Sequence, residues 1–188
     1  PRQVYSETLS PRNTLVKLLQ YERLIDTPNS VTSMRVIERM LRYVITAEQD
    51  WAGLWNVYDR EPTSPYAIGM MLHEAGLRSE PKPLTKSELD TFHHPKRVDT
   101  VLYDARFEQR IAPEHSSVEL RQAIDGLKLA LEHALADLDA DLVELAVPSR
   151  LWLLVTEIGA RVPHLPRCEG AVLGECPADP GRLLRPEG

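Results

Sequence analysis

The sequence predicts an all-α protein: a bundle of about six to seven helices, with an irregular, proline-rich C-terminal arm. Three observations lead there. Cap-then-proline and capping-box signals recur along the chain, apolar residues return at steps of three and four, and no Asn-Gly type turn separates alternating runs as a hairpin would. No repeat of solenoid length is present either.

The elements follow in order. Ser10-Pro11 reads as an N-cap with proline at the first helical position, and Leu15, Leu18, Leu19 and Leu24 extend an apolar stripe, so the first helix is expected over 11–26. Thr27-Pro28 breaks it. Thr32 or Ser33 then caps a second helix whose face is Val36, Ile37, Met40, Leu41, Val44 and Ile45, continuing through Trp51, Leu54 and Trp55 to about Tyr58. Ser64-Pro65 opens a third, short helix closed by Gly76. Pro81 and Pro83 make residues 78–83 a loop, and Thr85-x-x-Glu88 is a capping box for one or two turns ending before Pro95.

Val98, Val101, Leu102, Ala105 and Ile111 predict a fifth helix from Pro95 to just before Pro113. Ser116-x-x-Glu119 is a second capping box, and the leucines and Ile124 from Leu120 to Leu145 keep one apolar face for about 30 residues. A last, nearly all-round apolar helix is expected over 150–161. Beyond it, five prolines and four glycines cannot sustain regular structure. The division is therefore a helical body, 1–162, and an extended arm, 163–188.

At 188 residues with 43% hydrophobic and 27% charged side chains, the chain can bury a core without staples. Its longest apolar stretch, Leu151–Ile158, is far short of a membrane span, and the start lacks the pattern of a secretory signal, so a cytoplasmic protein is expected. Cys168 and Cys176 both lie in the arm and are expected as free thiols, with His164 the nearest further ligand. The net charge of -6 is matched by the stretch 114–144, where eight acids face Arg121 and Lys128. With the rest of the chain balanced, binding nucleic acid by bulk charge is disfavoured.

Motifs for common chemistries are missing: no Gly-x-Ser-x-Gly, no phosphate-binding glycine loop, and no His-x3-His pair. No cofactor is expected. His93-His94 sits before Pro95, where a solvated helix end is the simple reading. A helical-bundle enzyme or metal protein would require His73, His94 and His133 to converge from separate helices. A nucleic-acid regulator would use Arg35, Arg39 and Arg42, which share one side of the second helix; the connection between residues 75 and 85 is too long and proline-rich for a helix-turn-helix.

The reading preferred from sequence is a non-catalytic interaction or assembly subunit, a structural or adaptor component of a larger complex. Its expected partners are other protein subunits, as a homo-oligomer or larger assembly through the C-terminal arm. Helical adaptors of phage-type particles have this general build by architectural analogy, which would place the chain in a virion rather than free in the cytoplasm. Arg35, Arg39 and Arg42 are the candidate polar contacts; Trp51, Trp55 and Tyr58, close together on the expected second helix, are the candidate aromatic ledge.

Overall fold

Backbone pairing between residues far apart in sequence overturns the all-α expectation. The computed structural model describes residues 3–47, 53–92 and 100–136. Among these are six helices and four short strands, so the fold is mixed α/β. The order is β1 (Val4–Tyr5), α1 (Thr14–Leu18), β2 (Arg23–Ile25), β3 (Thr32–Ser33), α2 (Met34–Thr46), α3 (Pro65–Glu74), β4 (Lys82–Leu84), α4 (Lys86–Phe92), α5 (Ala105–Ile111) and α6 (Ser116–Ala136). β1 pairs with β3, and β2 with β4, as two separate parallel ladders. The expected helix over 150–161, the arm 163–188 and both cysteines lie outside the described residues.

The first expected helix is replaced by a five-residue helix and a strand. Asn13 is the cap in place of Ser10: its Oδ1 accepts from the Leu15 and Ser6 amides at 3.2 Å, while Nδ2 donates to the Ser6 and Thr8 carbonyls at 2.7 Å. That closes the turn ahead of α1 and starts the helix at Thr14. Arg78 ends it by donating to the carbonyl of Leu18, a group that a helix end leaves unpaired, and to that of Tyr21 in the segment beyond. Leu24 and Ile25, freed from the helix, run beside Pro83 and Leu84. Lys82 and Pro83, the end of the expected loop 78–83, thus belong to a strand, β4. Pro83 is tolerated because the ladder is held by the Lys82 amide on Glu22 O and the Asp26 amide on Leu84 O, each 3.0 Å.

Local signals hold where they were strongest. Ser64 Oγ accepts from the Ala67 amide at 3.0 Å with Pro65 at the first helical position of α3. Gly76, at φ +76°, closes α3 in a Schellman motif: its amide donates to His73 O and the Leu77 amide to Leu72 O. Thr85 and Glu88 form the reciprocal box, with the Glu88 amide on Thr85 Oγ1 at 3.2 Å and the Thr85 amide on Glu88 Oε2 at 2.8 Å. α5 starts at Ala105, capped by Asp104; residues 100–104 of the expected fifth helix are not helical, and 95–99 lie outside the described residues. Ahead of it, Thr100 and Leu102 are laced to Asn29 and Ser30: the Thr100 amide donates to Asn29 Oδ1 and the Leu102 amide to Ser30 Oγ, both at 2.7 Å.

α6 carries the main core. Leu120, Ala123, Ile124, Leu127 and Leu131 form one buried face, against Leu15 and Leu18 of α1, Ile68 and Leu72 of α3, Tyr5 of β1 and Leu24 of β2. A smaller cluster, Val36, Met40, Tyr58 and Phe107, seats α2 on α5. Gly69 lets α3 lie directly on β2: a Cβ there would collide with Leu24 Cδ1 and stand 3.2 Å from Pro81 Cγ. Since Leu24 is fully buried, it has no free space to turn into. Gly69→Ala is therefore expected to destabilise the protein by roughly 1–3 kcal/mol despite the better helix propensity of alanine. A urea midpoint equal to or above wild type would contradict this packing.

Candidate functional site

α2 is where the polar and apolar features of the sequence meet. Ser33 caps it, its Oγ accepting from the Arg35 amide at 3.0 Å. The same hydroxyl donates to Glu119 Oε2 at 3.1 Å, and Arg39 Nη2 holds Glu119 Oε1 at 2.5 Å. Asp59, only 1% exposed, accepts from the Ser33 amide at 2.9 Å and from the Tyr5 hydroxyl at 2.5 Å. The network thus joins β1, β3, the first turns of α2, the segment at Asp59 and α6. Glu119 is engaged across the fold with Ser33 and Arg39, and this replaces the expected capping box with Ser116.

Burial pushes the Asp59 carboxyl up to about 6; the bonds from Tyr5 and Ser33 and the charge of Arg39 pull the other way, while Glu119 adds repulsion. The Tyr5 phenol is raised well above its ordinary value by burial and by the neighbouring Asp59. Two buried carboxylates beside a helix start could carry acid–base chemistry, yet their acceptors face donors of the chain itself. What the geometry accomplishes is positional: it pins the first turns of α2 to α6 and to β1.

The three arginines all have acceptors within the chain. Arg35 donates to Gln122 on α6 and stands 3.8 Å from Glu7, Arg39 is on Glu119, and Arg42 pairs with Glu38 at 2.7 Å. Arg35 and Arg39 therefore help to orient α2, while the Arg42–Glu38 pair is exposed on its flank.

The opposite flank is apolar and faces outward. At about 100° per residue, the apolar side chains of α2 cover about half its circumference, more than one contact stripe needs. Only Val36 and Met40 of that arc are buried. Met34 is 46% exposed, Leu41 56%, Val44 37% and Ile45 81%, with Ile37 half-buried among them. The single buried face expected from the sequence is thus divided, one part inward and the larger part outward. The width of the arc was the available signal. At its N-terminal end the face adjoins a depression of about 450 Å³ lined by Val4, Tyr5, Ser6, Asn13 and Met34 among others.

α2 stops at Thr46 and does not continue to Tyr58. Val44, Ile45 and Thr46 are consecutive β-branched residues, poor helix formers, and the Thr46 hydroxyl donates back to Arg42 O at 2.8 Å. Trp55 and Tyr58 are consequently not on a helix. Tyr58 is buried, bonded to Glu108 Oε1 at 2.9 Å and to the Asp104 amide at 2.8 Å, and burial is the main force pushing its hydroxyl up to about 12. Trp55 is half-buried beneath the Arg106 guanidinium, 4.4 Å from the ring centre. Trp51 lies outside the described residues.

His73 Nδ1 is 3.1 Å from the Arg78 carbonyl, closing the turn after α3; His133 is on the last turn of α6, and His94 lies outside the described residues. Among the described residues, no group of three or more His, Cys, Asp or Glu side chains is placed to hold a metal ion. None of the described helices is long and apolar enough to cross a membrane. No protein-family model, curated protein or solved structure matches this chain.

Proposed function

We propose that the chain is a non-catalytic interaction or assembly subunit that docks to other protein through the outer face of α2, in the cytoplasm or, for a phage-type assembly, in a virion. The observation that carries this reading is the contiguous exposed face of Met34, Leu41, Val44 and Ile45 on a helix anchored rigidly at its start. Large apolar side chains gathered on one exposed helix face favour association, since covering them removes apolar surface from water. The anchoring lowers the cost of binding, because α2 does not have to order itself on contact. The internal pairing of Arg35, Arg39 and Arg42 weighs against the use of that side to grip phosphates.

The test is affinity purification of the tagged full-length chain from its own source, followed by native mass spectrometry. Wild type is expected in a discrete complex, with itself or with another subunit, that Ile45→Glu abolishes while circular dichroism stays unchanged. A wild-type chain recovered alone, or a complex indifferent to Ile45→Glu, would remove the basis for this function.

A further inference from the structure

Resting on that reading, we infer that the occupant of the α2 face is a second copy of this chain, with the two α2 helices packed antiparallel across a two-fold axis. The face is self-complementary in the way such an isologous contact demands. With the axis level with residue 39, Met34 meets Val44 of the second copy and Ile37 meets Leu41, so each layer places one large apolar side chain against another. Antiparallel helices related by a two-fold bring the same flank of each into contact. The flank here carries Glu38 and Arg42, an exposed pair of opposite charge one turn apart.

At 1.5 Å of rise per residue, Glu38 of one copy stands about 3 Å along the axis from Arg42 of the other, so the two pairs form a four-charge cluster of alternating sign. A parallel two-fold arrangement would put the two Glu38–Arg42 flanks on opposite sides of the interface, where no such cluster forms. The ends fit as well. Ile45, the most exposed residue of the face, comes level with Ser33 of the second copy, beside the depression lined by Tyr5, Ser6, Asn13 and Met34. A protrusion at one end of α2 and a recess at the other are matched only when the helices run in opposite directions.

Five apolar side chains per copy make a small interface, well under the ~800 Å² per partner of a standard complex, so the dimer is weak and dissociates on dilution. Sedimentation equilibrium of the full chain over about a hundredfold range of concentration is expected to show a monomer–dimer transition. Ile45→Glu and Leu41→Glu are expected to shift its midpoint upward by at least about tenfold. Charge reversal tests the register. Glu38→Arg and Arg42→Glu should each weaken self-association, yet an equimolar mixture of the two should form heterodimer in excess of the statistical half.

A chain that stays monomeric throughout, or a mixture that yields no excess heterodimer, overturns the inference. If monomeric Ile45→Glu also loses thermal stability, the face is covered within the chain itself and the inference is overturned. If the source complex contains a different subunit and is lost on Ile45→Glu, the interaction reading stands and only the second copy is excluded.

Discussion

Asp59→Asn will gain roughly 3 kcal/mol in stability relative to wild type between about pH 4 and pH 7. The cause is a buried carboxyl that the fold holds near 6, mainly by burial, against about 3.9 in an unfolded chain. Below about 4 both states carry the proton, and the stability due to this group is fully present. Between about 4 and 6 the unfolded chain releases the proton while the folded chain keeps it, so stability falls as pH rises and is lost above about 6.

The groups around Asp59 are Tyr5 on β1, Glu119 on α6, and Arg35 and Arg39 on α2; among them Glu119 disfavours and Arg39 favours the anion. Asparagine keeps an acceptor for the Ser33 amide and presents a donor to the Tyr5 oxygen. It therefore shifts stability by a constant, and the difference between variant and wild type isolates the Asp59 titration. Glu88 acts with opposite sign: held near 2 first by the Thr85 amide, it adds stability that is full above its ordinary value of 4.5 and is lost as pH falls from there through about 2. Urea unfolding of both proteins across pH checks the sign. A stability difference independent of pH would mean that Asp59 titrates normally.

What was legible in the sequence divides by the range of the interaction. Ser64-Pro65 with Gly76, and Thr85 with Glu88, are signals whose partners lie within a few residues, and the structure uses them as read. The parallel ladders join residues separated by dozens of positions, such as Leu24 and Pro83, over two or three residues each. Strands that short leave no period to detect, and leucines placed one helical step apart can equally serve a short helix followed by a strand. Glu119 shows the same effect at one residue. Its spacing from Ser116 satisfies the local motif, yet its carboxylate finds Ser33 and Arg39, about eighty positions away.

The candidate site was legible in content but not in orientation. Arg35, Arg39 and Arg42 do share one side of α2, and only the fold reveals Gln122 and Glu119 as acceptors for two of them. Val36, Ile37, Met40, Leu41, Val44 and Ile45 of α2 were identified and Met34 was not, and a sequence carries no label for which half of a wide arc faces inward. Phe107 decides that. It packs under Val36 and Met40, turning Leu41, Val44 and Ile45 away from the body.

Phe107→Ala is accordingly expected to cost about 3–5 kcal/mol, the range for truncating a fully buried aromatic. The side chain is 0% exposed, and its ring lies 5.2 Å from that of Tyr58 at a tilt of 45°. Among the described residues its cluster holds four buried side chains, with Val36 and Met40 the contribution of α2, so a cavity there removes much of the inward seat of the helix. The first turn of α2 has a second anchor through Ser33, Arg39 and Glu119; the C-terminal half does not share it. Loss should therefore be graded. Hydrogen exchange in Phe107→Ala should accelerate most at the amides of residues 42–46 and in α5, less near Arg39, and least around Leu127 in the main core. Since Leu41, Val44 and Ile45 form the proposed docking face, association should weaken in step with the exchange of those amides, even under conditions where α6 remains fully protected. Equal acceleration in α2 and α6 would show that the two clusters unfold as one, and would remove the physical separation on which an independently displayed α2 depends.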